Sequence, residues 1–83
     1  MLKENVKVKV IVIDFNDRKG WKIYHNEDLY GNTEIKDSRF WNDVQNGYYR
    51  FVKGTTLVAD IDCPWKIEES LRILKVHEVI YSD

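Results

Sequence analysis

Few side chains in this sequence could do chemistry, and they are scattered. His25, His77 and Cys63 are the nitrogen and sulfur ligands. No pair of them has Cys-x-x-Cys, His-x-x-x-His or loop-ligand spacing, so no metal centre is predicted. Asp60-x-Asp62 places two carboxylates on one face of an extended chain, about 7 Å apart. Two like charges there could share a divalent ion, but the alternating Leu57, Ala59 and Ile61 make a solvated strand face the expected setting. A nucleophile needs a base within reach and a group that orients the base. Cys63 with His25 or His77 is the only thiol–imidazole combination, and Cys63 continues the apolar Leu57-Ala59-Ile61 face, which predicts a small buried residue. Glu68-Glu69 could supply an acid and a base only if a cleft raised one pKa, and an exposed turn is the expectation. The glycines stand singly at 20, 31, 47 and 54, so there is no phosphate-cradling loop. No catalytic residue, cofactor or metal is therefore expected, and the chain reads as a non-enzyme.

The aromatic residues carry more information. Phe, Trp and Tyr number three, three and five in 83 residues. Trp21, Phe40, Trp41 and Phe51 are expected inside, and the tyrosines on a rim with wet hydroxyls. Tyr24 lies beside Lys22 on the face opposite Ile23, a pairing suited to a polyanionic strand. The candidate binding face is Lys22, Tyr24, Tyr30, Lys36, Tyr49 and Arg50. Charge tempers the nucleic-acid reading. Thirteen basic residues stand against fourteen acidic ones, for a net charge of −1, whereas phosphate contacts supply most of the affinity of a general nucleic-acid binder. The basic excess is local: residues 1–25 hold six basic and three acidic residues, and 26–46 hold two basic and five acidic. Glu27, Asp28, Glu34 and Asp37 are expected to border a groove beside Tyr24 and to repel a phosphate backbone. A protein partner, or other domains of a parent chain, is the preferred expectation, and single-stranded nucleic acid the alternative.

These residues need elements to hold them. The mass of 10.0 kDa allows one domain, burying about 64% of its unfolded surface. Residues 5–15 begin with Val6, Val8 and Val10 alternating against Lys7 and Lys9, then become apolar on both faces. This is a long first strand shared between two halves of a barrel. Residues 16–20 form a turn, and Trp21–His25 a second strand. Asn26 opens a polar loop to about Gly31, followed by a short third strand over 32–36. Asp37 or Ser38 can cap a helix carrying Phe40, Trp41 and Val44, with Gly47 past its end. Trp41, Phe40 and Val44 are expected to plug the barrel together. Residues 48–52 read as extended, Thr55–Cys63 as a strand closed by Pro64, 65–70 as a connection, and 71–81 as the last strand. The pairs Ile73-Leu74 and Val79-Ile80 suggest a bulge or two-sided burial there. A helix over 67–76 is the competing reading, opposed by the β-branched residues after 72. Five strands with a helix between the third and fourth is the order of an OB-like, Greek-key barrel; an SH3-like barrel is the runner-up.

Two segments carry a resemblance. Ile35-Lys36-Asp37-Ser38-Arg39-Phe40-Trp41 through Gly47 continues into Phe51-Val52-Lys53-Gly54-Thr55-Thr56-Leu57, and Arg72 to Val79 follows near the end. Together, over residues 20–80, they resemble a small β-barrel module found at the C-terminus of many uncharacterised bacterial proteins of phage or mobile-element type. The resemblance implies a non-catalytic accessory domain, with the 83 residues a C-terminal piece of a longer protein. The single cysteine fits a reducing compartment, and a cytoplasmic location without membrane association is expected.

Overall fold

The computed structural model describes residues 1–52 and 54–81. Its elements are β1 (Leu2–Val12), β2 (Trp21–His25), β3 (Asp28–Ile35), α1 (Ser38–Gln45), β4 (Thr56–Asp62) and β5 (Leu71–Ile80). The strands close into a barrel in the order β1-β2-β3-β5-β4. All neighbours are antiparallel except β3 and β5. This is the OB-like arrangement, with the helix between the third and fourth strands. No described helix is long and apolar enough to cross a membrane.

The long first strand serves both halves, as its pattern predicts. Leu2–Lys9 pair with β4, and Lys9–Val12 with β2. Its boundaries lie earlier than residues 5–15. At the start, the Met1 ammonium donates to the Asp62 carboxylate at 2.9 Å and to the Cys63 carbonyl at 2.7 Å, which draws Leu2 into register with Asp62. At the end, the Trp21 indole N–H bridges the carbonyls of Asp14 and Asp17, both at 3.1 Å, and pins residues 14–17 as a turn. Asn5 takes a left-handed φ of 52° where the β1–β4 register shifts, a conformation that asparagine tolerates.

The loop expected over 26–31 is a two-residue hairpin turn instead. Asn26 and Glu27 have φ of 50° and 69°, the pair of left-handed residues that matches the twist of the flanking strands. The chain therefore reverses at once, and β3 begins at Asp28 rather than at residue 32. Residues 48–52 form no strand. Two of their three aromatic side chains turn inward: Tyr49 and Phe51 pack on Phe40 with ring centroids 5.4 and 6.1 Å away, and Phe51 meets Trp21 edge-on at 5.9 Å. The alternative helix over 67–76 does not form, since β5 starts at Leu71.

Val8, Val10, Trp21, Ile23, Ile35, Leu57, Ala59, Ile61, Leu71 and Ile73 fill the barrel. Phe40 and Val44 close one end. Trp41 does not plug the barrel with them, because successive helical residues point about 100° apart while i and i+4 share a stripe. It is half-buried, edge-on to Trp21 at 6.4 Å, with the Arg18 guanidinium 6.0 Å above its ring. The central aromatic is Trp21, fully buried and touching Phe40, Trp41 and Phe51.

Candidate functional site

Most of the residues with catalytic or metal-binding potential are engaged structurally, although the buried Nε2 of His25 has no hydrogen-bond partner among the described residues. Asp60 accepts hydrogen bonds from the Asn5 amide and the His77 imidazole, both at 2.9 Å. Those two bonds, the backbone one foremost, hold its carboxyl below the usual range. Asp62 is held low by the Met1 ammonium and then by Arg72. Among the described residues, no group of three or more His, Cys, Asp or Glu side chains is placed to hold a metal ion. Cys63 is buried on the face its alternation predicts, and its sulfur lies 3.4 Å from the Tyr30 hydroxyl. His25 faces inward with Trp21 and Ile23; its Nδ1 is 3.4 Å from the Lys7 carbonyl. Neither imidazole bonds the thiol. Glu68 and Glu69 are exposed in the β4–β5 connection.

The six candidate face residues are distributed over three places. Tyr30 is inside the barrel, 7% exposed, and leaves the face. Its hydrogen bond to the Cys63 sulfur, followed by burial, pushes its phenol up to about 12. The loop reading of 26–31 that left it outside fails because the early turn at Asn26-Glu27 brings Tyr30 into β3, where it opposes Ile23, an inward residue. Lys22 and Tyr24 do share the outer face of β2, as expected. There Tyr24 lies between Lys9 of β1 and Leu29 of β3, and Lys7 follows on the same outer face of β1. Lys7, Lys9 and Lys22 have no ion-pair partner among the described residues. Two of the four acids expected to oppose this face are engaged elsewhere. Glu34 is 3.0 Å from Lys36, and Asp37 is spent on backbone amides.

Lys36 and Tyr49 belong to a different place, a cleft of about 710 Å³ between the first turns of α1, residues 48–49 and β5. Arg50 is exposed next to it in sequence. The cleft exists because β3 is too short. Its parallel pairing covers only Thr33–Ile35 against Leu71–Ile73, and the Lys36 amide adds one bond to the Ile73 carbonyl at 2.8 Å. Among the described residues, Leu74 to Ile80 of β5 have a strand partner only on the β4 side. That side is itself irregular. Register shifts leave Leu74 and His77 as extra residues opposite β4, the bulging that Ile73-Leu74 suggests. Asp37 meets the open side at one point. Its Oδ1 accepts the Phe40 amide at 3.0 Å as the helix cap, and its Oδ2 accepts the Val76 amide at 2.9 Å.

Tyr48 stands over this cleft, 75% exposed, with its ring 5.2 Å from that of Tyr49. The Tyr49 phenol is pushed up by burial and by Asp43, against a smaller opposing pull from Arg39. Tyr48, Leu74, Lys75 and Arg39 were not among the sequence-derived face residues. The signal that could have found them was the bulge at Ile73-Leu74, because a bulged, half-paired strand leaves an edge to be covered. A second, smaller hollow of about 480 Å³ lies beside Trp65, Pro64 and Arg72. Comparison with family models, curated proteins and solved structures found no match.

Proposed function

We propose that this chain is a non-catalytic binding module whose partner is a protein, either another chain or a further domain of a longer bacterial parent, docked at the cleft between α1 and β5. The supporting observation is the half-paired β5 strand. An exposed strand edge is a template for another chain and is ordinarily blunted or covered; here its open side borders a cleft lined by tyrosines. Exposed tyrosine supports the same reading, since it contributes large contact area at low entropic cost. The test is selection of short random peptides displayed against the whole immobilised chain. Peptides that bind wild type and lose binding to Tyr48→Glu and to Leu74→Glu, each variant retaining its circular dichroism, would support the cleft. Peptides indifferent to both substitutions would overturn it.

The register around Tyr24 favours a second reading, single-stranded nucleic acid on the outer face of β1 and β2. Three lysines without an ion-pair partner among the described residues flank a half-exposed tyrosine there. With about three phosphates neutralised, log K should fall with log salt at a slope of about −2. Stacking on Tyr24 should contribute about 1–3 kcal/mol. Titration of a labelled oligonucleotide at about 50 and about 200 mM salt, repeated with Tyr24→Ala, decides it. Affinity in the micromolar range that falls with both changes would promote this reading over the first.

A further inference from the structure

We infer that the occupant of the α1–β5 cleft is an uncharged, proline-rich protein segment in the polyproline conformation, seated on Tyr48, Tyr49 and Leu74. The inference rests on the docking reading above and specifies its chemistry. Charge argues against a strongly acidic or basic partner. Arg39 and Lys75 stand against Asp37 and Asp43 in the lining. Lys36 is paired with Glu34, and the His77 imidazole with Asp60. Lys75 also lies opposite Asp60 of β4. The cleft is close to neutral, so a segment of either sign gains little net attraction there. The backbone argues against an added strand. Leu74–Ile80 run for about 23 Å at about 3.3 Å per residue, but the Val76 amide within them already donates to Asp37 at 2.9 Å. A ladder along this edge would have to displace that carboxylate, and with it the tie between β5 and the helix cap.

What the cleft offers instead is aromatic surface and hydrogen-bond donors. The hydroxyls of Tyr48 and Tyr49 and the N–H groups of Arg39 and Lys75 have no side-chain hydrogen bond among the described residues. Burial, foremost, pushes the Tyr49 phenol up, so it keeps its proton and remains a donor. The lining carboxylates are already occupied or neighbour a cation: Asp37 accepts two backbone amides, and Asp43 lies one helical turn from Arg39. Donors in excess suit a partner that brings acceptors and few donors. Proline has no N–H, and the polyproline helix has no internal hydrogen bonds, which leaves its carbonyls free. Its rings pack against aromatic side chains, and its conformation is preformed at low entropic cost. Tyr48 and Tyr49 supply the aromatic surface. Their ring planes stand at 80° with centroids 5.2 Å apart, which makes a corner, and Tyr48 is 75% exposed. Leu74, 38% exposed, adds apolar surface on β5. An oligosaccharide could lie on the same rings, but its hydroxyls donate as readily as they accept.

The probe is a capped oligoproline of about eight residues, about 25 Å long at about 3.1 Å per residue, titrated into the whole isotope-labelled chain. It is expected to shift the ring resonances of Tyr48 and Tyr49 and the methyl groups of Leu74, and to leave solvent exchange of the Leu74–Ile80 amides unslowed. Its affinity should change by less than about twofold between about 50 and about 200 mM salt. Tyr48→Phe, which keeps the ring and loses the donor, should weaken binding about threefold, and Tyr48→Ala at least about tenfold. Tyr24→Ala, on the outer face of β2, should change nothing. An oligoproline that leaves Tyr48 and Leu74 unmoved up to millimolar concentration, while proline-free peptides selected on the chain lose binding to Tyr48→Glu, would overturn the proline chemistry and leave the docking reading standing. Selected peptides that slow exchange of the Leu74–Ile80 amides would overturn it in favour of an added strand. Displacement of the oligoproline by a neutral oligosaccharide that binds more tightly would replace the protein partner with a glycan. Absence of any effect at the cleft, together with selected peptides that ignore Tyr48→Glu, would remove both the inference and the reading beneath it.

Discussion

Replacing Asp37 tests how the barrel is joined at its weakest seam. One carboxylate performs two tasks there: it caps α1 through the Phe40 amide and ties the helix start to β5 through the Val76 amide. Loss of a helix cap costs about 0.5–2 kcal/mol. A hydrogen bond to a charged, half-buried group is worth about 1.5–3 kcal/mol. Asp37→Ala removes both and should cost about 2–4 kcal/mol, the upper sum being reduced because the two bonds share one side chain. Asp37→Ser should retain the cap and lose the bond to β5, costing about 1.5–2.5 kcal/mol. Asp37→Asn keeps an oxygen for the cap but turns an amide N–H₂ toward the Val76 N–H, so it should resemble serine rather than wild type. The assay is urea unfolding, read as a change in midpoint at constant slope, with amide exchange measured at Val76. All three variants should speed exchange at Val76, whereas only alanine should also loosen the Phe40 amide. A loss below about 1 kcal/mol in Asp37→Ala, or unchanged exchange at Val76 in all three, would refute the seam.

Phe40→Ala should cost about 3–5 kcal/mol in denaturant melts and Trp41→Ala about 1–2 kcal/mol, because only the first is fully enclosed; the reverse order would contradict the helix orientation. Cys63 should react slowly with a thiol reagent in the folded chain and rapidly once unfolded, since its sulfur is enclosed beside Tyr30; rapid labelling of folded protein would contradict its burial. Tyr30, with a folded value of about 12 against 10.0, contributes stability that is fully present below pH 10 and is lost as pH rises toward about 12, so Tyr30→Phe should flatten the alkaline limb of a stability profile. Asp60 and Asp62, held low by their partners, contribute stability present above the unfolded carboxylate range and lost as pH falls through their folded values; Asp60→Asn/Asp62→Asn should flatten the acid limb, and an unchanged limb would contradict the pairing.

Alternation made the inward faces legible. Val8 and Val10, Trp21 and Ile23, and Leu57, Ala59 and Ile61 are all enclosed, and Cys63 follows the same period. The strand order and helix position were readable for the same reason. The β2–β3 turn was not, because Asn26-Glu27 lacks the glycine that normally marks two consecutive left-handed residues. Missing that turn displaced Tyr30 from the interior to an imagined face. Residues 48–52 look extended by composition, but Tyr49 and Phe51 gain more by covering Phe40 and Trp21 than a short unpaired strand would gain at the barrel rim. The cleft escaped sequence reading for a different reason. It arises from a mismatch between the length of β3 and that of β5, a property of two segments far apart in the chain.

The most direct measurement of the docking claim is a map of intermolecular proton–proton contacts between the whole chain and a peptide selected on it. The account predicts contacts between the peptide and the open side of β5 within Leu74–Ile80, with side-chain contacts to Tyr48 and Leu74. Contacts confined to Lys22, Tyr24 and Leu29 on the outer face of β2 and β3, or contacts that leave Tyr48 and Leu74 untouched, would contradict it.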